Sequence, residues 1–349
     1  KEKEWLTPML TFKKISFIAA MFLLILALAA CGSNIQVEPS DISAENQYEA
    51  KQTEVPDAET SNVAEESDTP AFPRTIQHVK GELLLENPPK RIASVDIMST
   101  DYLLVLDIAP IVSEGFSTKE RSPIFGKYAK GKEVVDLGGK MNMETLLEME
   151  PDLIVFGSTS NKLERFDEFN KIADTVVIDF SLEPTERLMK FAELVGKEEK
   201  ARGVIDEFNQ LKEQATAVAA NHKDETVIFL ISNGKDFTVI HPVNFPFFYE
   251  GVGLTPVPGL PEDGKIGGRI GIEALSEFNP DHIFIAENRR QMNPEDKDGL
   301  INIWVDHPVW KNLDAVEKGQ VYSVDTLVGD TFFLGQIAGL QAIIEHLGQ

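Results

Sequence analysis

The sequence predicts an α/β fold in two lobes joined by one long helix, and three observations carry that prediction. Short apolar runs alternate with helical patterns both before and after residue 200, and strands alternating with helices form parallel sheets with helices on their faces. Between the two sets lies an amphipathic pattern, 197–222, that no proline interrupts. A segment also recurs once in each half: Met143-Glu-Thr-Leu-Leu-Glu-Met-Glu-Pro-Asp-Leu-Ile154 aligns with Ile272-Glu-Ala-Leu-Ser-Glu-Phe-Asn-Pro-Asp-His-Ile283. Glu, Leu, Pro, Asp and Ile share one spacing, which reads as a short helix, a proline stop and a strand.

The first 31 residues read as an export leader, with Met9 the expected start and Lys1 to Pro8 upstream read-through. Lys13 and Lys14 precede the apolar run Ile15 to Ala30, broken only by Ser16, and Leu28-Ala-Ala-Cys31-Gly follows the order of a signal peptide with a small-residue cut site. Sixteen residues fall short of the roughly 20 that span a bilayer. The junction resembles the bacterial lipobox, so Cys31 is expected to carry a lipid. It is the one cysteine of the chain, which leaves no disulfide and no cysteine metal site.

Residues 32–73 are expected to be a disordered tether. From 34 to 73 there are ten acidic residues against one basic, Lys51, with little apolar content. Such a segment buries too little surface to offset its ordering entropy and repels itself.

The N-terminal lobe is placed at 74–196. Apolar runs at Arg91 to Val95, Ile111-Val112, Leu153 to Phe156 and Val176 to Ile178 alternate with helical stretches at Asp101 to Leu106, Thr145 to Met149 and Phe166 to Ile172. Ligands gather beyond the carboxyl ends of such strands, which draws attention to 96–100, 115–121, 138–143 and 157–162. In 197–222, Ala201, Val204, Ile205, Phe208, Leu211, Ala215 and Val218 recur every three or four positions. At about 1.5 Å per residue that helix exceeds about 30 Å, enough to brace two lobes. The C-terminal lobe, 223–349, repeats the alternation at Val227 to Ile231, Thr238 to Ile240, Ile283 to Ile285 and Val321 to Val324, and closes on a helix from Thr331 to Leu347. Asn233-Gly234 is the dipeptide of a tight hairpin.

A net charge of −24 argues against nucleic acid or anionic lipid as a partner through bulk electrostatics. No Gly-x-Ser-x-Gly, His-Glu-x-x-His or phosphate loop is present, so the chain is not expected to be an enzyme. Histidine sets of the kind that hold bare zinc or manganese are not evident either. His307 belongs to a His-Pro-Val-Trp turn, His282 falls inside a strand and His222 ends the long helix.

Several segments, in this order, carry a resemblance over residues 74–349. They are Pro89-Lys-Arg-Ile-Ala93, Leu137-Gly-Gly-Lys-Met-Asn-Met-Glu144, Glu150-Pro-Asp-Leu-Ile154, His307-Pro-Val-Trp310 with Leu313-Asp-Ala-Val316, and Gly319-Gln-Val-Tyr322. With the lipobox and the connecting helix, the chain resembles the solute-binding lipoproteins of bacterial ABC importers that carry ferric siderophores, cobalamin or haem. The resemblance implies two Rossmann-like lobes with the ligand cleft between them, a monomer anchored on the outer face of the cell membrane, and no cofactor. The ligand it implies is an Fe(III)-siderophore complex, with haem or cobalamin as the alternative; a cell-surface scaffold or an exported hydrolase are readings from other classes. It further implies that an acidic residue on each lobe, here Glu144 and Glu273, docks onto arginines of the permease.

A ferric siderophore is often anionic and its iron is saturated by the chelator, so a receptor needs cationic donors in place of metal ligands. The basic residues of the predicted cleft loops are Lys119, Arg121, Lys140, Lys162, Lys235, Lys265, Arg269, Arg289 and Arg290. Lys140, in a glycine-flanked loop ahead of Glu144, and Arg269, four residues before Glu273, are the counterparts on the two lobes. Lys162, Lys235, Arg289 and Arg290 complete the expected binding set. The aromatic run Phe245, Phe247, Phe248, Tyr249 is expected to serve mainly as core, with one ring left to wall the cleft.

Overall fold

The computed structural model describes residues 72–116, 123–138, 141–260, 268–287, 301–329 and 332–349. The leader, Cys31 and most of the acidic segment lie outside the described residues, as do Lys119, Arg121, Lys140, Lys265, Arg289 and Arg290.

In the N-terminal lobe an antiparallel hairpin that the sequence pattern did not reveal, β1 (Arg74–His78) and β2 (Gly81–Leu85), precedes a parallel five-stranded sheet. Its strands are β3 (Ile92–Ser94), β4 (Val112–Ser113), β5 (Val135–Asp136), β6 (Leu153–Gly157) and β7 (Thr175–Ile178), in the order β5-β4-β3-β6-β7. Helices α1 (Ile97–Val105), α2 (Pro123–Ala129), α3 (Met143–Glu148), α4 (Phe166–Phe169) and α5 (Pro184–Val195) make the connections. β6 is buried throughout, and its side chains alternate between two cores. Leu153 and Val155 pack with α1 and α5, whereas Ile154 and Phe156 pack with Leu146 of α3 and Phe169 of α4. That is the two-residue period of a strand covered on both faces.

The connecting helix α6 spans Glu198–Asn221, close to the expected 197–222. Its Ala201, Phe208, Ala215 and Ala219 are buried, and the small residues at 201, 215 and 219 let neighbouring elements approach closely.

The C-terminal lobe contains β8 (Thr226–Ser232), β9 (Phe237–Val239), α7 (Pro246–Tyr249), β10 (Thr255–Pro256), β11 (Arg269–Ile270), α8 (Ile272–Phe278) and β12 (His282–Glu287). It continues with α9 (Asn302–Val305), α10 (Pro308–Lys311), α11 (Asp314–Glu317), β13 (Val321–Ser323) and α12 (Phe333–Leu347). The sheet order is β11-β9-β8-β12-β13, with β10 also paired to β8. The expected parallel sheet is mixed here: β9 runs antiparallel to β8, and β11 antiparallel to β9. The cause is the Asn233-Gly234 turn, which is a hairpin with a four-residue loop, Ser232 pairing with Phe237. Asn233 closes the loop through its side-chain amide, which donates to Asp236 Oδ1 at 2.8 Å and Thr238 Oγ1 at 2.9 Å. Gly234 takes the left-handed conformation at φ 82° that the turn requires.

The repeated segment folds alike in both lobes. Glu150 and Asn279, each just before its proline, have positive φ, 46° and 38°. The Pro-Asp aspartates then perform one task. Asp152 accepts from the Lys90 and Arg91 amides at 2.7 and 2.9 Å, and Asp281 accepts from the Thr226 amide and hydroxyl at 2.8 Å each. Each carboxylate thus ties the amino end of the neighbouring central strand, β3 or β8, and sets its register.

One core runs through both lobes. Phe208 of α6 stacks on Phe333 of α12 at 4.8 Å, and Phe333 lies 5.8 Å from Tyr102 of α1. Gly339 is required in α12, because a Cβ there would stand 2.2 Å from the Phe248 ring. Asp101 of α1, fully buried, accepts from the Phe333 amide at 2.6 Å and the Leu334 amide at 3.4 Å. A carboxylate of the first lobe therefore caps the first turn of the last helix, where unpaired amides and the helix dipole favour negative charge.

Candidate ligand-binding cleft

The carboxyl ends of the N-terminal strands carry polar groups held in fixed positions. Asp96 follows β3 and caps α1, so the segment 96–100, expected as a loop, is the start of a helix. The Asp96 carboxylate accepts from Ser99 N at 2.7 Å, Ser99 Oγ at 3.1 Å and, across to the end of β6, Gly157 N at 2.7 Å. Burial pushes its pKa upward, against the pull of those donors and of Lys162. Glu114, after β4, is ion-paired with Lys162, and both are largely shielded. Asp179, after β7, accepts from Ser181 N at 2.9 Å and Ser181 Oγ at 2.8 Å, which hold its pKa below the usual carboxylate value.

In the C-terminal lobe Glu287 ends β12 and accepts from the Ile301 amide at 3.1 Å. Asp325, beyond β13, accepts from Leu327 N at 2.9 Å. Trp304 reaches the end of β8, its indole N–H donating to Ser232 Oγ at 3.3 Å.

Two pockets lie where these lobes face one another. The smaller, about 260 Å³, sets Pro123 of the first lobe against Glu287, Ser323, Asp325 and Thr326 of the second. The larger, about 460 Å³, is lined by Glu183, Pro184 and Arg187 at the start of α5, by Lys212 of α6, and by Asn244 to Phe248, Glu250, Val328 and Gln336 of the second lobe. Its volume suits a small-molecule ligand.

Arg187 is oriented through Nε, which donates to Leu182 O at 2.8 Å. Its guanidinium sits 5.3 Å from the Phe180 ring centroid and 5.8 Å from that of Tyr102. Lys212 lies 5.7 Å from the Phe247 ring centroid. Neither cation has an ion-pair partner among the described residues. Gln336 also lines this pocket and is over nine-tenths buried; its Oε1, itself shielded from solvent, has no hydrogen-bond partner.

Of the cations expected from the sequence, Lys162 is engaged by Glu114. Arg269, exposed on edge strand β11, pairs with Asp236 at 3.2 Å. Lys235 is exposed in the β8–β9 turn. Lys140, Arg289 and Arg290 lie outside the described residues. The aromatic run divides: Phe248 and Tyr249 are core, while Phe245 and Phe247 are partly buried and line the larger pocket. Arg187 and Lys212 are the cations that sequence reading missed. In the N-terminal lobe the loops singled out beyond strand ends stopped at residue 162, one strand short of α5, and nothing in an amphipathic helix marks which charged residue meets a facing lobe. Glu144 and Glu273 occupy the same position, second in the first turns of α3 and α8, and both are exposed. Among the described residues one group has the donors for a metal ion, His222, Glu225 and His282, at the end of the C-terminal lobe away from these pockets.

Residues 92–326 match the family described as "Periplasmic binding protein". The chain belongs to this family. Its relatives are substrate-binding proteins. Over 350 aligned residues it is 30% identical to the "Iron-uptake system-binding protein" of Bacillus subtilis, covering 97% of this chain and 99% of the relative. It is 23% identical over 292 residues to the "Ferric-anguibactin-binding protein FatB" of Vibrio anguillarum, covering 79% of this chain and 86% of the relative. Among solved structures it is similar to the triscatecholate siderophore binding protein FeuA from Bacillus subtilis complexed with ferri-bacillibactin. That match has a TM-score of 0.62 at 27% identity and covers 79% of this chain and 98% of the other. The two-lobed α/β fold of this binding protein is that of its structural neighbours.

Proposed function

We propose that this binding protein captures a ferric siderophore between its lobes and delivers it to the permease of an ABC importer for iron uptake. The observation that carries the reading is the larger interlobe pocket. It joins two cations that have no ion-pair partner among the described residues, Arg187 and Lys212, to phenylalanine walls and the side chain of Gln336. A chelate whose iron is already saturated asks for charge, hydrogen bonds and apolar walls, and among the described residues no histidine lines this pocket. The names of the relatives, which include ferric siderophore, hydroxamate and citrate binders, support the same ligand class.

In this reading Lys140, Arg289 and Arg290 extend the cationic lining, and Lys162, Lys235 and Arg269 contribute at its margins after exchanging their present partners or from solvent. Glu144 and Glu273 meet arginines of the permease, one per lobe, and so report the spacing of the lobes. Cys31 carries the lipid that holds the protein at the outer face of the membrane, where the acidic tether confines it near the permease. The protein acts as a monomer and catalyses no reaction.

The test is a tryptophan-fluorescence titration with ferric catecholate, hydroxamate and citrate complexes, their iron-free forms, haem and cobalamin. Trp304, bonded to Ser232 at the end of β8, reports on the cleft. Saturable quenching by a ferric chelate is expected. Tight binding of haem or cobalamin with no response to any ferric chelate would overturn the assignment.

A further inference from the structure

At the amino end of the C-terminal sheet, two donor groups three residues apart meet a third that lies 57 residues further along the chain. His222 caps the carboxyl end of α6, Glu225 sits in the turn before β8, and His282 opens β12. His222 Nδ1 lies 2.6 Å from Glu225 Oε2, and His282 Nε2 lies 2.7 Å from the same oxygen. All three donor atoms fall within 4.8 Å of one another. β8 separates them from the cleft by about 20 Å at roughly 3.3 Å per residue.

The outward nitrogens decide what the inward ones can do. His222 Nε2 is 2.8 Å from the Leu347 carbonyl oxygen. A carbonyl only accepts, so this nitrogen carries the proton. With one proton placed there, His222 Nδ1 faces a carboxylate oxygen at 2.6 Å, a contact that requires a cation between them, either a second ring proton or a metal ion. His282 Nδ1 is 3.2 Å from the Tyr322 hydroxyl, whose oxygen can accept its proton and leave the Nε2 lone pair facing inward as well. Imidazoles held from behind by an oxygen acceptor are the usual outer support of metal-ligating histidines.

We propose that His222 Nδ1, Glu225 Oε2 and His282 Nε2 form a site for a divalent transition-metal ion such as zinc, separate from the ligand cleft. Two imidazoles and one carboxylate make a nitrogen–oxygen set suited to zinc, nickel or copper and poorly suited to magnesium or calcium. Metal bonds of about 2.0–2.2 Å need donors opened to about 3 Å or more. Glu225, 43% exposed, has room to move that far, while His282, 2% exposed, is the fixed point. A water on the solvent side completes four-coordination. The ion joins the end of α6, the start of β12 and, through His222, the carbonyl of Leu347, and so clamps the base of the lobe.

The purified full-length chain is titrated with zinc chloride by calorimetry, and with cobalt(II) as a spectroscopic probe. The expected result is one zinc equivalent bound, a melting temperature that rises with zinc, and visible cobalt bands of tetrahedral intensity. His222→Ala and Glu225→Gln should each weaken zinc at least tenfold and leave ferric-chelate binding at the wild-type value. Chelate binding also verifies that each variant is folded, and it separates this proposal from the siderophore reading, on which it does not rest. Absence of zinc uptake and of cobalt bands at 1 mM metal, or unchanged zinc affinity in both variants, overturns the proposal and leaves a proton as the cation between His222 and Glu225. Should a variant fail to fold, the wild-type cobalt spectrum alone decides, because surface carboxylates give only weak octahedral bands.

Discussion

Replacing Asp101 by alanine tests how the two lobes are held together. The side chain is fully buried and makes two bonds to α12, 2.6 Å to the Phe333 amide and 3.4 Å to the Leu334 amide, across 232 positions of sequence. Alanine leaves both amides without this acceptor at the buried end of a helix. An unsatisfied buried donor costs about 1–3 kcal/mol, and a helix terminus that loses a well-placed charge forfeits up to about 2 kcal/mol. Relief of the carboxylate's own desolvation offsets part of this, so the expected loss is about 2–4 kcal/mol. With an unfolding entropy of about 2.1 cal/mol/K per residue, the 278 residues from 72 to 349 give about 0.6 kcal/mol/K. The melting temperature should therefore fall by about 3–7 °C, read by far-UV circular dichroism. Asp101→Asn, which keeps one acceptor oxygen, should fall by less. A melting point for Asp101→Ala within 1 °C of wild type would show that the cap does not tie the lobes and would refute this reasoning.

Arg187→Ala and Lys212→Ala should each weaken ferric-chelate binding about tenfold, equivalent to about 1.4 kcal/mol, with little change in melting temperature; Lys140→Ala should do the same, and unchanged affinity in all three moves the site elsewhere. His78 gives a pH signature. Its Nδ1 accepts from the Val177 amide at 3.3 Å, which requires the neutral ring, and burial holds its pKa below the usual 6.5. The folded state thus binds a proton less readily than the unfolded chain, so the stability from this group is complete above pH 6.5 and is lost as pH falls below it. Urea unfolding of wild type and His78→Gln should diverge in that acidic window, and parallel curves would exclude the linkage. Glu144→Arg and Glu273→Arg should leave chelate affinity intact and reduce uptake by cells, the double variant most; loss of affinity in vitro would place these residues at the ligand instead. Cys31→Ser should spare binding and impair uptake, with the protein released from the membrane fraction.

The repeated Glu-Leu-Pro-Asp segment shows what a sequence discloses. Its helix, stop and strand depend on neighbours a few residues apart, so both copies were legible before their partners were known. The partners were not: Asp152 and Asp281 bind backbone amides 61 and 55 residues earlier, at Arg91 and Thr226. The mixed C-terminal sheet shows the same limit. Asn233-Gly234 announced a turn, but the four-residue loop follows from Asn233 meeting Asp236 and Thr238. The candidate site was read in part. Cations were sought in loops beyond strand ends, where Lys162 and Arg269 turn out to be paired with carboxylates, whereas Arg187 and Lys212 enter from helices whose pattern marks only the buried face.

By itself the sequence determined the two α/β halves, the connecting helix, the matched pair Glu144 and Glu273, and the expectation of a lipid on Cys31, because periodicity and motif spacing are local properties of the chain. Only the tertiary structure decided that Asp101 caps a helix of the other lobe, that Arg187 and Lys212 share a pocket with Gln336, and that His222 and His282 meet across Glu225. Each of those depends on which buried surfaces pack together, and hydrophobic patterning specifies the face of an element without naming the element it will meet.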